Sequence, residues 1–137
     1  MTEELAFEVR LPLAFDAAVE ATRTALKLEG FGILTEIDLQ AAFKEKLDRD
    51  FRPYVILGAC NPPLAFAAVT ADPAVGMLLP CNVVVDGVGE RESLIRLTDP
   101  EALLAMAPAG MTPALGPVAA DARQRMQRVV RSLRGVS

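Results

Sequence analysis

The sequence predicts an α+β fold in a single domain spanning 1–137, an antiparallel sheet of about five strands backed by helices. Two observations lead there. Segments whose apolar residues alternate with polar ones are interleaved with segments whose apolar residues recur at helical spacing. Two apolar runs are also joined through Asp86-Gly87 and Gly89, turn chemistry that makes an antiparallel hairpin and argues against a wholly parallel sheet. The expected element order is β-α-β-α-β-α-β-β-α.

Leu5, Phe7, Val9, Leu11 and Leu13 alternate with Glu8, Arg10 and Pro12, as in a strand with one buried face, and Pro12 marks its end. Phe15, Ala18, Val19, Thr22, Ala25 and Leu26 then form a helical stripe over about 15–29. Asp16 can cap its start and Gly30 can stop it. Phe31, Ile33, Thr35 and Ile37 alternate as a second strand, and Leu39, Ala42, Phe43 and Leu47 stripe a short helix. The run Tyr54 to Ala59 is apolar throughout and reads as a central strand covered on both faces.

Asn61-Pro62 is a helix start, because asparagine accepts from free backbone amides and proline in the first turn loses no bond. The segment Leu64 to Val69 that follows is apolar on every side, so it is expected to be buried, with a second subunit as one way of covering it. Asp72-Pro73 repeats the cap for another short turn, and Pro80-Cys81-Asn82 leads into the β-branched run Val83 to Val85. Ile95 and Leu97 flank Arg96 on the other arm of the hairpin. Asp99-Pro100-Glu101 starts a brief helix, Pro108 to Pro113 reads as a loop, and Val118, Ala122, Met126, Val129, Val130 and Leu133 make an amphipathic C-terminal helix.

Composition removes many functions. The chain has no histidine, so a Ser-His-Asp or Cys-His apparatus, a histidine metal ligand and a histidine pH switch are all excluded. Gly87-Val88-Gly89 lacks the helix and third glycine of a dinucleotide site, and the carboxylates Asp72, Asp86, Glu90 and Asp99 occupy capping or turn positions. No run nears the roughly 18–20 apolar residues of a membrane span, and the N-terminus has no secretion-signal pattern. With only two cysteines, the expected location is cytoplasmic. The net charge of −4 argues against nucleic acid as a partner. The charge is uneven, with net +4 from Ala114 to Ser137 against −8 for the rest. Arg123, Arg128, Arg131 and Arg134 line the polar side of the last helix, either as a solvated face that complements the helix's negative end or as a site for an anionic ligand, an acidic partner or RNA. The 52% hydrophobic content and mean hydropathy of +0.31 favour a homodimer that hides apolar surface.

The segments Val55-Ile56-Leu57-Gly58-Ala59-Cys60-Asn61-Pro62 and Leu79-Pro80-Cys81-Asn82-Val83-Val84-Val85 together resemble the bacterial and archaeal family known as domain of unknown function 302. The resemblance covers nearly the whole chain from the first strand to the hairpin. It implies an antiparallel sheet backed by helices, similar in outline to TATA-binding-protein-like folds, and dimers; it implies no reaction.

Each of these Cys-Asn pairs sits where a strand meets a turn. If both thiols lie at one edge of the sheet, Cys60, Asn61, Cys81 and Asn82 form a candidate ligand site. Cys60 and Cys81 are then candidate ligands for a soft metal ion: copper(I) with two sulfurs and help from Met77, or zinc with four thiolates across a dimer. The first functional expectation is a small binding or sensing module for such an ion or a small ligand. A second is a thiol-dependent redox protein with Cys60 as nucleophile, activated by the helix starting at Asn61, and Cys81 as resolving thiol. A third is a structural homodimeric adaptor in which both cysteines are small buried hydrophobes.

Overall fold

In the computed structural model, which describes residues 6–106 and 113–136, the chain alternates strands and helices in nearly the predicted order. The elements are β1 (Ala6–Leu11), α1 (Phe15–Leu28), β2 (Gly32–Asp38), α2 (Leu39–Leu47), β3 (Tyr54–Cys60) and α3 (Pro62–Ala71). A 3-10 helix (Pro73–Leu78), β4 (Cys81–Gly89), β5 (Glu92–Thr98), α4 (Pro100–Leu104) and α5 (Leu115–Arg134) follow. The strands form one antiparallel sheet in the order β1-β5-β4-β3-β2. Leu5 at the start of the first predicted strand and Pro108 to Thr112 of the predicted loop lie outside the described residues.

The alternation read from the sequence sets which face is dry. Val9, Leu11, Val55, Leu57, Ala59, Val83, Val85, Ile95 and Leu97 are buried in a single core with Ala18, Val19, Ala25 and Leu26 of α1 and Met126, Val129, Val130 and Leu133 of α5. The opposite face carries the other residues of each strand. One rung of it runs Glu8, Arg96, Val84, Ile56 and Ile37 through consecutive registers. A second cluster, Ala68, Val75, Leu104, Leu115 and Ala119, forms beyond the ends of β3 and β4, where α3 and α4 pack on the N-terminal half of α5 and the 3-10 helix packs on α3 and α4.

Four expectations need correction. Asp16 does not cap α1; the N-cap is Ala14, which has no side chain able to accept, and Asp16 sits in the first turn, where its charge complements the helix dipole. The segment around Leu64 to Val69 is not buried all round. Only Ala68 is buried in α3, and Phe66 is 76% exposed, because α3 lies at the periphery and offers just one face to α5. The hairpin does not turn at Asp86-Gly87. β4 runs on to Gly89, a bulge takes up the irregularity between Asp86 and Gly89, and the turn is at Glu90 and Arg91.

The fourth concerns Asp86 itself, which is fully buried in the strand. It accepts from Arg52 Nε at 2.7 Å, Arg52 Nη2 at 3.2 Å and Arg96 Nη1 at 3.0 Å. Burial pushes this carboxyl up, but the hydrogen bonds and charges of the two arginines outweigh it and hold the group below its ordinary value. The same contact raises the Arg52 guanidinium further. The ring of Phe51 stacks beneath Arg52, 4.7 Å from centroid to guanidinium carbon.

Candidate functional site

The site begins with the way β3 ends. After Cys60 the backbone of Asn61 stays extended, and its Oδ1 accepts from the amide of Leu64 at 3.2 Å, which starts α3 with Pro62 in the first turn, as its sequence predicts. The chain returns through the 3-10 helix to β4, whose first residue, Cys81, lies opposite Ala59. Cys60 is therefore one residue beyond the partner of Cys81, and the structure brings both thiols to one corner of the sheet. Gly58, just before, is closed to any side chain: a Cβ there would overlap Thr35 Oγ1 and come within 2.9 Å of Pro80 Cγ.

Cys60 and Cys81 border the same hollow, about 50 Å³ in volume, which lies in the seam between the two apolar clusters. Phe31, Ala59, Leu64, Ala68, Leu104 and Ala122 supply its apolar walls. Asn61 lines it too and is buried; with Oδ1 committed to the helix cap, its Nδ2 donates to no acceptor among the described residues and rests against Gly30. Gly30 has φ +83°, and a Cβ on it would lie 2.9 Å from that Nδ2, so glycine both stops α1 and makes room for the amide. Arg125 Nη1, donating to the Glu29 carbonyl at 3.1 Å, and Arg128 Nε, 2.6 Å from Glu29 Oε1, tie this end of α1 to α5.

Both cysteines are free thiols. Burial pushes the Cys60 thiol above its ordinary value. Burial also pushes Cys81 up to about 11, with smaller contributions from the Cys60 and Asp99 charges. This direction runs against the activation of Cys60 expected from the start of α3, since burial favours the neutral thiol. Near neutral pH both sulfurs are S–H groups.

Two other expected participants lie elsewhere. Asn82 is exposed, since the residue after Cys81 in a strand must face the other side of the sheet; it pairs with Gly58, and its carbonyl accepts from Thr98 Oγ1 at 2.6 Å. Met77 is 88% exposed on the 3-10 helix and does not line the hollow. Among the described residues no group of three or more Cys, Asp or Glu side chains is placed to hold a metal ion. Asp72 and Asp99 cap helices as expected, through Ala74 N at 3.0 Å and Glu101 N at 3.0 Å. The sequence reading missed Phe31, Leu104 and Ala122 as walls of the site; the one signal they carried was apolar character at helix and strand positions, which the whole core shares.

A family model described as domain of unknown function DUF302 matches residues 7–133. The crystal structure of an uncharacterized conserved DUF302 protein from Bacillus stearothermophilus is similar over 94% of this chain and 98% of that one, with a TM-score of 0.80 and 31% sequence identity. No curated protein matches the chain. None of the described helices is long and apolar enough to cross a membrane.

Proposed function

The chain belongs to the DUF302 family of domains of unknown function, and from that premise we propose that it is a binding module whose corner hollow takes a small, neutral, largely apolar molecule. The observation that carries this reading is the hollow itself: an almost wholly apolar wall to which Cys60, Asn61 and Cys81 contribute, with both thiols protonated. A volume of about 50 Å³ suits a ligand of roughly three to five heavy atoms, since one water needs ~10–15 Å³ by the same measure. Charged ligands are disfavoured because nothing lining the wall would compensate their desolvation.

A second reading uses the same corner. Two sulfurs bordering one space favour a single copper(I) ion, which accepts two soft ligands, whereas zinc would need two further thiolates from a second copy. Proton loss from raised thiols opposes copper uptake, and opposes the redox reading more strongly because the thiolate is the nucleophile. Saturation-transfer NMR with butanone is expected to register binding to the parent chain and its loss in Ala122→Leu, which fills the hollow. Copper(I) delivered as its acetonitrile complex is the second probe. Uptake of copper, abolished in Cys60→Ser, without uptake of butanone would replace the first reading by the second; uptake of neither would end both.

The free thiols favour a reducing compartment such as the cytoplasm. A homodimer through α3 and the 3-10 helix is supported by exposed Phe66, Val69 and Met77 on a stretch, Pro53 to Val85, in which Asp72 is the only charged residue. A surface with almost no charge can meet a copy of itself with little polar desolvation. Phe66→Glu is expected to sediment as a monomer where the parent sediments as a dimer; a parent that is already monomeric at high concentration would refute this interface.

A further inference from the structure

The sheet has two edges, and they are built differently. On β2 the register slips between Ile33 and Thr35, leaving Leu34 without a partner, and the strand carries Glu36 and Asp38. Such a bulge twists an edge away from further pairing. On β1 the pairing with β5 is unbroken from Ala6↔Thr98 to Leu11↔Ser93. Every second residue of this regular strand therefore turns its N–H and C=O outward, away from β5.

A groove of about 250 Å³ runs beside this edge, floored by Phe7 and Val130 and flanked by Gln127, Arg131 and Arg134 of α5. The other arginines of that helix are engaged within the chain: Arg123 with Asp99, Arg125 with Asp121 and Arg128 with Glu29. Arg131 and Arg134 are exposed and have no carboxylate in ion-pair reach among the described residues. Among the described residues, two guanidiniums without a carboxylate partner thus stand beside a strand edge that no other strand pairs.

We propose that the β1 edge accepts an extended acidic peptide segment as a sixth strand, with its carboxylates held by Arg131 and Arg134. Backbone pairing supplies the docking geometry and the guanidiniums select the charge. The rival occupant is a second β1. Pairing about a two-fold axis at Val9 would set Glu8 against Arg10, which is favourable. However, α5 packs on the same sheet face in both copies, and the Arg131 and Arg134 flanks would then meet with no carboxylate of the described residues paired to either. The charge pattern therefore favours a foreign, acidic strand.

The probe is a fluorescein-labelled, end-capped hexapeptide of alternating glutamate and valine, followed by anisotropy with the full chain. It is expected to bind, to weaken with salt, and to weaken about tenfold or more in Arg131→Glu/Arg134→Glu, whose circular dichroism should match the parent because both residues are exposed. A version N-methylated at alternate amides keeps the charge but cannot pair as a strand, so it is expected not to bind. Equal binding of the N-methylated peptide, or undiminished binding to the double variant, would overturn the proposal. Conversion of a dimeric parent to monomer by the peptide would overturn it as well, by assigning this edge to a second copy.

Discussion

Asp86→Ala is expected to destabilise the fold by about 3 kcal/mol in urea unfolding at neutral pH, the lower end for breaking a buried ion pair. The residue is sealed within the sheet yet receives three charge-assisted bonds from Arg52 and Arg96, so the substitution removes all three at once. Both arginines reach solvent and can rehydrate, which keeps the cost from rising further. The pH dependence has a definite sign. The folded carboxyl titrates below its ordinary value, so its contribution is complete above that range and is lost as pH falls through the lower folded value. The gap between parent and variant should thus be constant near neutrality and shrink below about pH 4. A gap that widened on acidification would contradict the ion-pair account.

Leu104→Ala is expected to cost about 3 kcal/mol, in line with large-to-small changes at sites that relax only partly. Leu104 is buried in the second cluster and forms a wall of the corner hollow, so its truncation enlarges a space that already exists. An enlarged apolar cavity stays dry and accepts an apolar guest. Benzene should therefore raise the melting temperature of this variant and leave the parent unchanged, with a recovery of about 2.7 kcal/mol at a hundredfold excess over Kd. Destabilisation without rescue would mean that α4 closes onto the gap, and that the hollow is held open by that leucine alone.

Local chemistry explains what could be read without coordinates. Asn61-Pro62, Asp72-Pro73 and Asp99-Pro100 each start a helix as their sequences predict, because a cap involves only backbone amides two or three residues away. The alternation in β1 and the placement of Ile95 and Leu97 on one face around Arg96 hold for the same reason: a strand's period is a property of the backbone. Asp86 could not be read this way. Its Asp-Gly context is a turn signal, and the partner that overrides it, Arg52, is remote in sequence and adjacent only through the pairing of β3 with β4. Asn82 was misplaced by reading the two Cys-Asn pairs as equivalent, when one begins a helix and the other continues a strand.

By itself, then, the sequence determined the element types and nearly their order, the α+β class, the absence of imidazole chemistry and the position of two thiols at strand ends. Tertiary structure alone decided that both cysteines border one hollow, that Phe31, Leu104 and Ala122 enclose it, and that burial keeps both sulfurs protonated. Caps, turns and periodicities act over a few residues and are written in neighbouring letters. Cavity walls and desolvation arise between segments that touch only after folding, and a side chain's proton affinity follows from that company.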